Sequence, residues 1–178
     1  IKLWYDHSRK LGYKKIHLIG HSRGGSDILS FYEKLDHSDK ALIDLVFLLA
    51  PSSDSNEDHI QKYMREYQID IKTIDDNDIL KIDFLGCNDV QVNGMSFKSY
   101  YYNFDNMNTI DALKTTTANA HVITASEDSI VPLTHRKVKI SAESNENVKL
   151  YTIDGADHFF RDFYFDDLFE ILLDKIEQ

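Results

Sequence analysis

Short apolar runs separated by longer amphipathic stretches dominate this chain. Lys15-Ile16-His17-Leu18-Ile19 is apolar, bounded by glycines and too short for a helix, so it predicts a buried strand of a parallel sheet. Leu42 to Ala50, closed by Pro51, predicts a second such strand, and His121–Ala125 and Val148–Ile153 predict two more. Between these runs the period changes to that of a helix. Residues 23–35 set Ile28, Leu29, Phe31, Tyr32 and Leu35 in packing positions, and residues 133–143 form another helix. A final amphipathic helix carries Phe165, Leu168, Phe169, Leu172, Leu173 and Ile176. At the start, Ile1, Trp4, Ser8 and Leu11 share one helical face, which Gly12 terminates. Strand alternating with helix predicts an α/β fold, a mostly parallel sheet flanked by helices and joined by right-handed crossovers.

Residues 53–118 interrupt this pattern. The stretch is polar and rich in Asp and Asn, with helices expected near 56–68 and 76–84 and an aromatic cluster of Phe97, Tyr100, Tyr101, Tyr102 and Phe104. It is too long for a simple loop in a compact domain and reads as an inserted cap.

The length of 178 residues supports one domain with a hydrophobic core. A net charge of −10 argues against nucleic acid or an anionic membrane surface as the main partner, since both need basic patches. No apolar run approaches the roughly 20 residues that cross a bilayer. One cysteine, Cys87, excludes an internal disulfide framework and fits a reducing, cytoplasmic setting. Oligomeric state is not legible. The chain lacks an initiating Met and opens inside a helical pattern, so it reads as a piece of a longer protein, and a signal peptide upstream is left open.

The chemistry concentrates at Gly20-His21-Ser22-Arg23-Gly24. A serine hydroxyl is a weak nucleophile that needs a base and must project from the backbone. A sharp strand-turn-helix projects it, provided that small residues flank it, here Gly20 and Gly24 with further room at Gly25. The motif alone is weak; a predicted strand before it and a helix after it give it weight. The backbone N–H of Arg23, at the start of that helix, is placed to stabilise an oxyanion. His158, in the turn after the last strand, is the candidate base among eight histidines. His21 is expected to point away from Ser22 and to pack or orient the turn. His17 and His121 read as satisfied core histidines, and His7, His37, His59 and His135 as solvated. Asp128, after the preceding strand, is the candidate acid that orients His158, with Glu127 and then Asp54 as alternatives; Asp157 reads as a turn former.

With Ser22, Asp128 and His158 in that order, the chain resembles the α/β-hydrolase superfamily over nearly its whole length. The resemblance is carried by residues 14–25 (KKIHLIGHSRGG), 121–132 (HVITASEDSIVP) and 150–160 (LYTIDGADHFF), and the last two resemble the feruloyl esterase and serine-aminopeptidase-like branch. It implies that residues 53–118 are a cap shaping a pocket with Met95, Phe97 and Tyr101, and that the first strands and the second oxyanion donor lie outside this chain. It also implies a cofactor-free and metal-free serine hydrolase cleaving a small or medium carboxylic ester. An amidase or peptidase with the same triad, or a ligand-binding protein without activity, are the alternatives.

Overall fold

The apolar runs and their helices form, in order, α1 (Lys2–Lys10), β1 (Ile16–His21), α2 (Arg23–Glu33), α3 (His37–Lys40), β2 (Ile43–Leu49), α4 (Asn56–Tyr67), β3 (Ile79–Phe84), β4 (Cys87–Asn93), α5 (Gly94–Tyr101), α6 (Thr109–Thr115), β5 (Ala120–Ala125), α7 (Thr134–Ser144), β6 (Val148–Ile153) and α8 (Phe163–Ile176). The computed structural model describes residues 1–84, 87–101 and 108–177. The chain divides into a main unit, Ile1–Ser53 with Thr109–Gln178, and an inserted unit, Asp54–Asn108.

In the main unit four parallel strands lie in the order β1-β2-β5-β6. Side chains alternate across this sheet. Leu45, Phe47, Leu49, Ile123, Ala125 and Ile153 pack on one face with Leu168 of α8. Val46, Leu48, Ala120, Val122 and Val148 pack on the other with Ile28 and Leu29 of α2, Leu113 of α6 and Val138 of α7. Helices on both faces bury alternate residues of β2 and β5 in opposite directions, which is why those strands read as continuous apolar runs; β1, expected to be a buried strand, is instead half-buried, with Ile19 exposed. Parallel strands also end together, so the segments following β1, β5 and β6 share one edge of the sheet.

Two helices turn differently from what their own periodicity predicts. In α1 the buried residue is Tyr5, whose hydroxyl donates to the Asp39 carbonyl at 2.8 Å and whose ring meets Phe31 edge-on; Ile1, Trp4 and Leu11 are exposed. In α8 Leu168 is buried, while Phe165 and Phe169 stack on each other at the surface.

The inserted unit has its own core of Tyr63, Ile71, Ile74, Ile82, Val92 and Phe97. Ser55 and Asp58 close a capping box at the start of α4, within the helix expected at 56–68. The expected helix at 76–84 is instead strand β3, antiparallel to β4. Leu80, Ile82 and Phe84 point to the core while Lys81 and Asp83 are exposed, a period of two that fits a pleated strand. Gly94 sits where β4 meets α5, and a Cβ there would strike the Asp75 carbonyl and lie 2.7 Å from Ile74 Cγ2.

Candidate active site

The turn from β1 into α2 places Ser22 at φ 54° and ψ −125°, a backbone conformation that non-glycine residues rarely hold. The surroundings hold it there. Its N–H donates to the Leu49 carbonyl at 2.8 Å, and its carbonyl accepts from Gly25 N at 3.0 Å. Gly20 is the close approach: a Cβ there would strike the Gly24 carbonyl and lie 2.8 Å from Gly25 N. Gly25 packs against Gly20 O and Pro51 Cβ, each 3.2 Å from where its Cβ would be. Gly24, expected to be the second small flank, has nothing within 4 Å of that position. The steric partners are therefore Gly20 and Gly25, because strand and helix approach each other along that pair. Arg23 begins α2, so its N–H lies at the positive end of the helix.

Asp128 and His158 meet in a buried pair. His158 donates its Nδ1–H to Asp128 Oδ2 at 2.8 Å, which turns Nε2 away from the pair. The other carboxylate oxygen, Oδ1, accepts from Ile130 N and Val131 N, both at 2.8 Å. With both oxygens engaged, this carboxylate has one orientation. The turns after β5 and β6 are also stitched together: Glu127 N donates to Ala156 O at 2.9 Å, and Gly155 N donates to Ser126 Oγ at 2.8 Å. Glu127 has an exposed side chain, and Asp54 belongs to the inserted unit, so Asp128 is the acid that the geometry brings to His158. Asp157 accepts from Phe159 N and from Arg161 Nε, the turn role expected of it, and those donors hold its carboxyl below the usual range.

Among the described residues no hydrogen bond joins Ser22 Oγ to His158 Nε2. Such contacts commonly shorten only when substrate is bound. His21, directly before Ser22, does reach the histidine loop, with its Nε2 2.7 Å from the His158 carbonyl.

Other candidate residues sit elsewhere or differently than their sequence context predicts. Phe97, expected to line a pocket, is fully buried in the core of the inserted unit, edge-on to Tyr63 at 4.7 Å, and its role there is packing. Tyr101 joins the same aromatic cluster, and Met95 is exposed. Tyr102 and Phe104 lie outside the described residues. His121 is buried, but its Nδ1, like that of His17, has no hydrogen-bond partner among the described residues, so these are not satisfied core histidines. His121 lies parallel to the Tyr151 ring at 5.7 Å, and burial together with Lys175 and Lys149 holds its pKa below the ordinary value. His135 is exposed, as expected of a solvated histidine, and its Nδ1 also lies 2.9 Å from Thr152 Oγ1 and 3.2 Å from Thr124 Oγ1. It lines a cavity of about 300 Å³ that borders Asp128. No sequence motif flags it, because the contact joins three elements. Among the described residues no group of three His, Cys, Asp or Glu side chains is placed to hold a metal ion, and no helix is long and apolar enough to cross a membrane.

The parallel sheet, the strand-turn-helix at Ser22 and the late Asp and His turns define an α/β-hydrolase fold. The chain is similar in structure to Est1E from Butyrivibrio proteoclasticus, with a TM-score of 0.64, 20% identity, and coverage of 97% of this chain and 66% of that one. The form of Est1E with ferulic acid bound matches with a TM-score of 0.63, 19% identity, and coverage of 97% and 65%. A monoacylglycerol lipase from Paleococcus ferrophilus matches with a TM-score of 0.57, 18% identity, and coverage of 97% and 71%. The chain thus spans just under two thirds of the length of Est1E. No protein-family model matches the sequence, and no curated protein matches it significantly.

Proposed function

We propose that this chain carries the catalytic residues of a serine hydrolase acting on a carboxylic ester of a small or medium soluble substrate, without cofactor or metal. The observation that carries the reading is the buried Asp128–His158 pair on the same sheet edge as a serine held in a strained strand-to-helix turn. In this mechanism His158 Nε2 takes the Ser22 proton as Oγ adds to the ester carbonyl carbon. The oxyanion accepts from the Arg23 N–H at the α2 N-terminus. Collapse breaks the carbon–oxygen bond to the alcohol, which leaves with the proton from His158. Water, deprotonated by His158, then releases the acid and restores Ser22. Asp128 keeps Nδ1 protonated and balances the imidazolium. The inserted unit Asp54–Asn108 is the cap in this reading, narrower than the 53–118 expected because α6 packs on the sheet, and Met95 and Tyr101 are its candidates for substrate contact.

Fluorophosphonate labelling of the full-length protein beside its Ser22→Ala variant tests the mechanism. Labelling of the wild type alone is expected; equal labelling of both, or of neither, would sink it. A panel of acyl and aryl esters, beginning with feruloyl esters because Est1E was solved with ferulic acid, addresses the substrate.

A further inference from the structure

We infer that His21 is a positioning residue that ties the loop bearing the base to the nucleophile turn. The inference rests on the serine-hydrolase reading and deepens it. The topology creates the need. His158 follows β6 and Ser22 follows β1, the two outer strands of the sheet, with β2 and β5 between them. Three strand spacings are about 14 Å. The loop must therefore reach back across the sheet edge to bring an imidazole to Ser22.

Its other hydrogen bonds among the described residues do not supply that reach. They run to Ser126, Glu127 and Asp128 on the β5 side, or stay within the loop through Asp157. The hydrogen bond that crosses is from His21. Its Nε2–H donates to the His158 carbonyl at 2.7 Å, over 137 residues of sequence. The acceptor is a carbonyl, so the donor must be Nε2–H, which fixes the tautomer of neutral His21. The His21 ring also lies 4.8 Å from the His158 ring and 5.9 Å from that of Phe159. Because His21 is the last residue of β1, strand alternation turns its side chain away from that of Ser22, next in sequence. The bond ends on the backbone of His158 and leaves the ring nitrogens alone. It takes no part in proton transfer; it sets where the imidazole stands relative to the turn.

The test compares wild type, His21→Phe, which keeps a ring but has no donor, and His21→Gln, which restores an N–H at similar reach. Two readouts are taken: the rate of fluorophosphonate labelling at Ser22, and amide hydrogen exchange of residues 155–161. His21→Phe is expected to label about 3- to 10-fold more slowly, the order of one neutral hydrogen bond, and to exchange faster in that loop. His21→Gln is expected to recover most of both. Wild-type labelling and exchange in His21→Phe would overturn the inference. So would equal losses in the two variants, since a purely structural role predicts no rescue by a donor. If wild-type protein does not label at all, the serine reading fails, and loop exchange in the three proteins still decides whether His21 holds the loop.

Discussion

Asp128 grips His158 with one carboxylate oxygen and is itself gripped by two backbone N–H groups on the other, so its replacement has a defined consequence. In Asp128→Asn the side-chain oxygen stays with Ile130 N and Val131 N, and the amide N–H faces His158. The imidazole then moves its proton to Nε2, the wrong nitrogen for a base. Turnover is expected to fall on the order of 10⁴-fold while the folded structure persists, as ester hydrolysis and circular dichroism would show together. His121 makes a different prediction. Burial and two nearby ammonium groups lower its pKa from the ordinary 6.5, so the unfolded chain binds the proton more tightly than the native one. Its contribution to stability is complete above pH 6.5 and is lost as pH falls from there through the native pKa. Urea midpoints measured between about pH 7 and pH 5 are expected to decline in wild type and to decline less in His121→Phe, which keeps the ring beside Tyr151; identical slopes would contradict this. Neither behaviour is legible in the sequence. A histidine in an apolar run can be recognised, but not whether a partner awaits each nitrogen.

At the scale of elements, the turn from β1 into α2 separates two glycines that look equivalent in the pentapeptide. A methyl at Gly20 meets backbone of the next helix, which cannot swing aside, and Gly20→Ala is expected to cost about 3 kcal/mol or more and to abolish labelling at Ser22. Gly24 stands in open space within a helix, so Gly24→Ala is expected to be neutral or to stabilise by about 0.5–1 kcal/mol through helix propensity. Thermal unfolding of the pair checks both. The runs of β2 and β5 are legible because helices cover both faces of the sheet and bury nearly every residue, whereas β1 and β6 read as apolar although Ile19 and Lys149 are exposed. The β3–β4 hairpin is not legible, although Leu80, Ile82 and Phe84 alternate with polar residues. Six residues can be fitted to either period when the surrounding stretch is polar, and pairing with Cys87–Asn93 decides it. The packing face of α1 escapes its periodicity for a related reason. Tyr5 is chosen by a carbonyl acceptor at Asp39 and a ring at Phe31, and neither is visible in the helix's own pattern.

On the whole-molecule scale, the insertion Asp54–Asn108 carries a core of its own, separate from the two cores on the faces of the sheet. Replacing it with a short Gly/Ser linker is therefore expected to leave a main unit that unfolds cooperatively and still labels at Ser22. If the insertion is the cap, discrimination among acyl groups should be lost. Unchanged selectivity across an ester panel would remove that role, and loss of cooperative unfolding would show that the units depend on each other. By itself the sequence determined the four parallel strands, the helices α1, α2, α7 and α8, the strand-turn-helix at Ser22 and the chain order of Ser, Asp and His, because these follow from local periodicity and from residues near one another in the chain; α3 and α6 of the main unit are not among them, and α6 falls in the stretch that reads as a cap. Only the tertiary structure decided that Asp128 rather than Glu127 or Asp54 holds His158, that Gly25 rather than Gly24 is the close neighbour of Gly20, and that His21 reaches the histidine loop. Those depend on distances between segments that parallel strands bring to one edge, and no pattern along the chain encodes them.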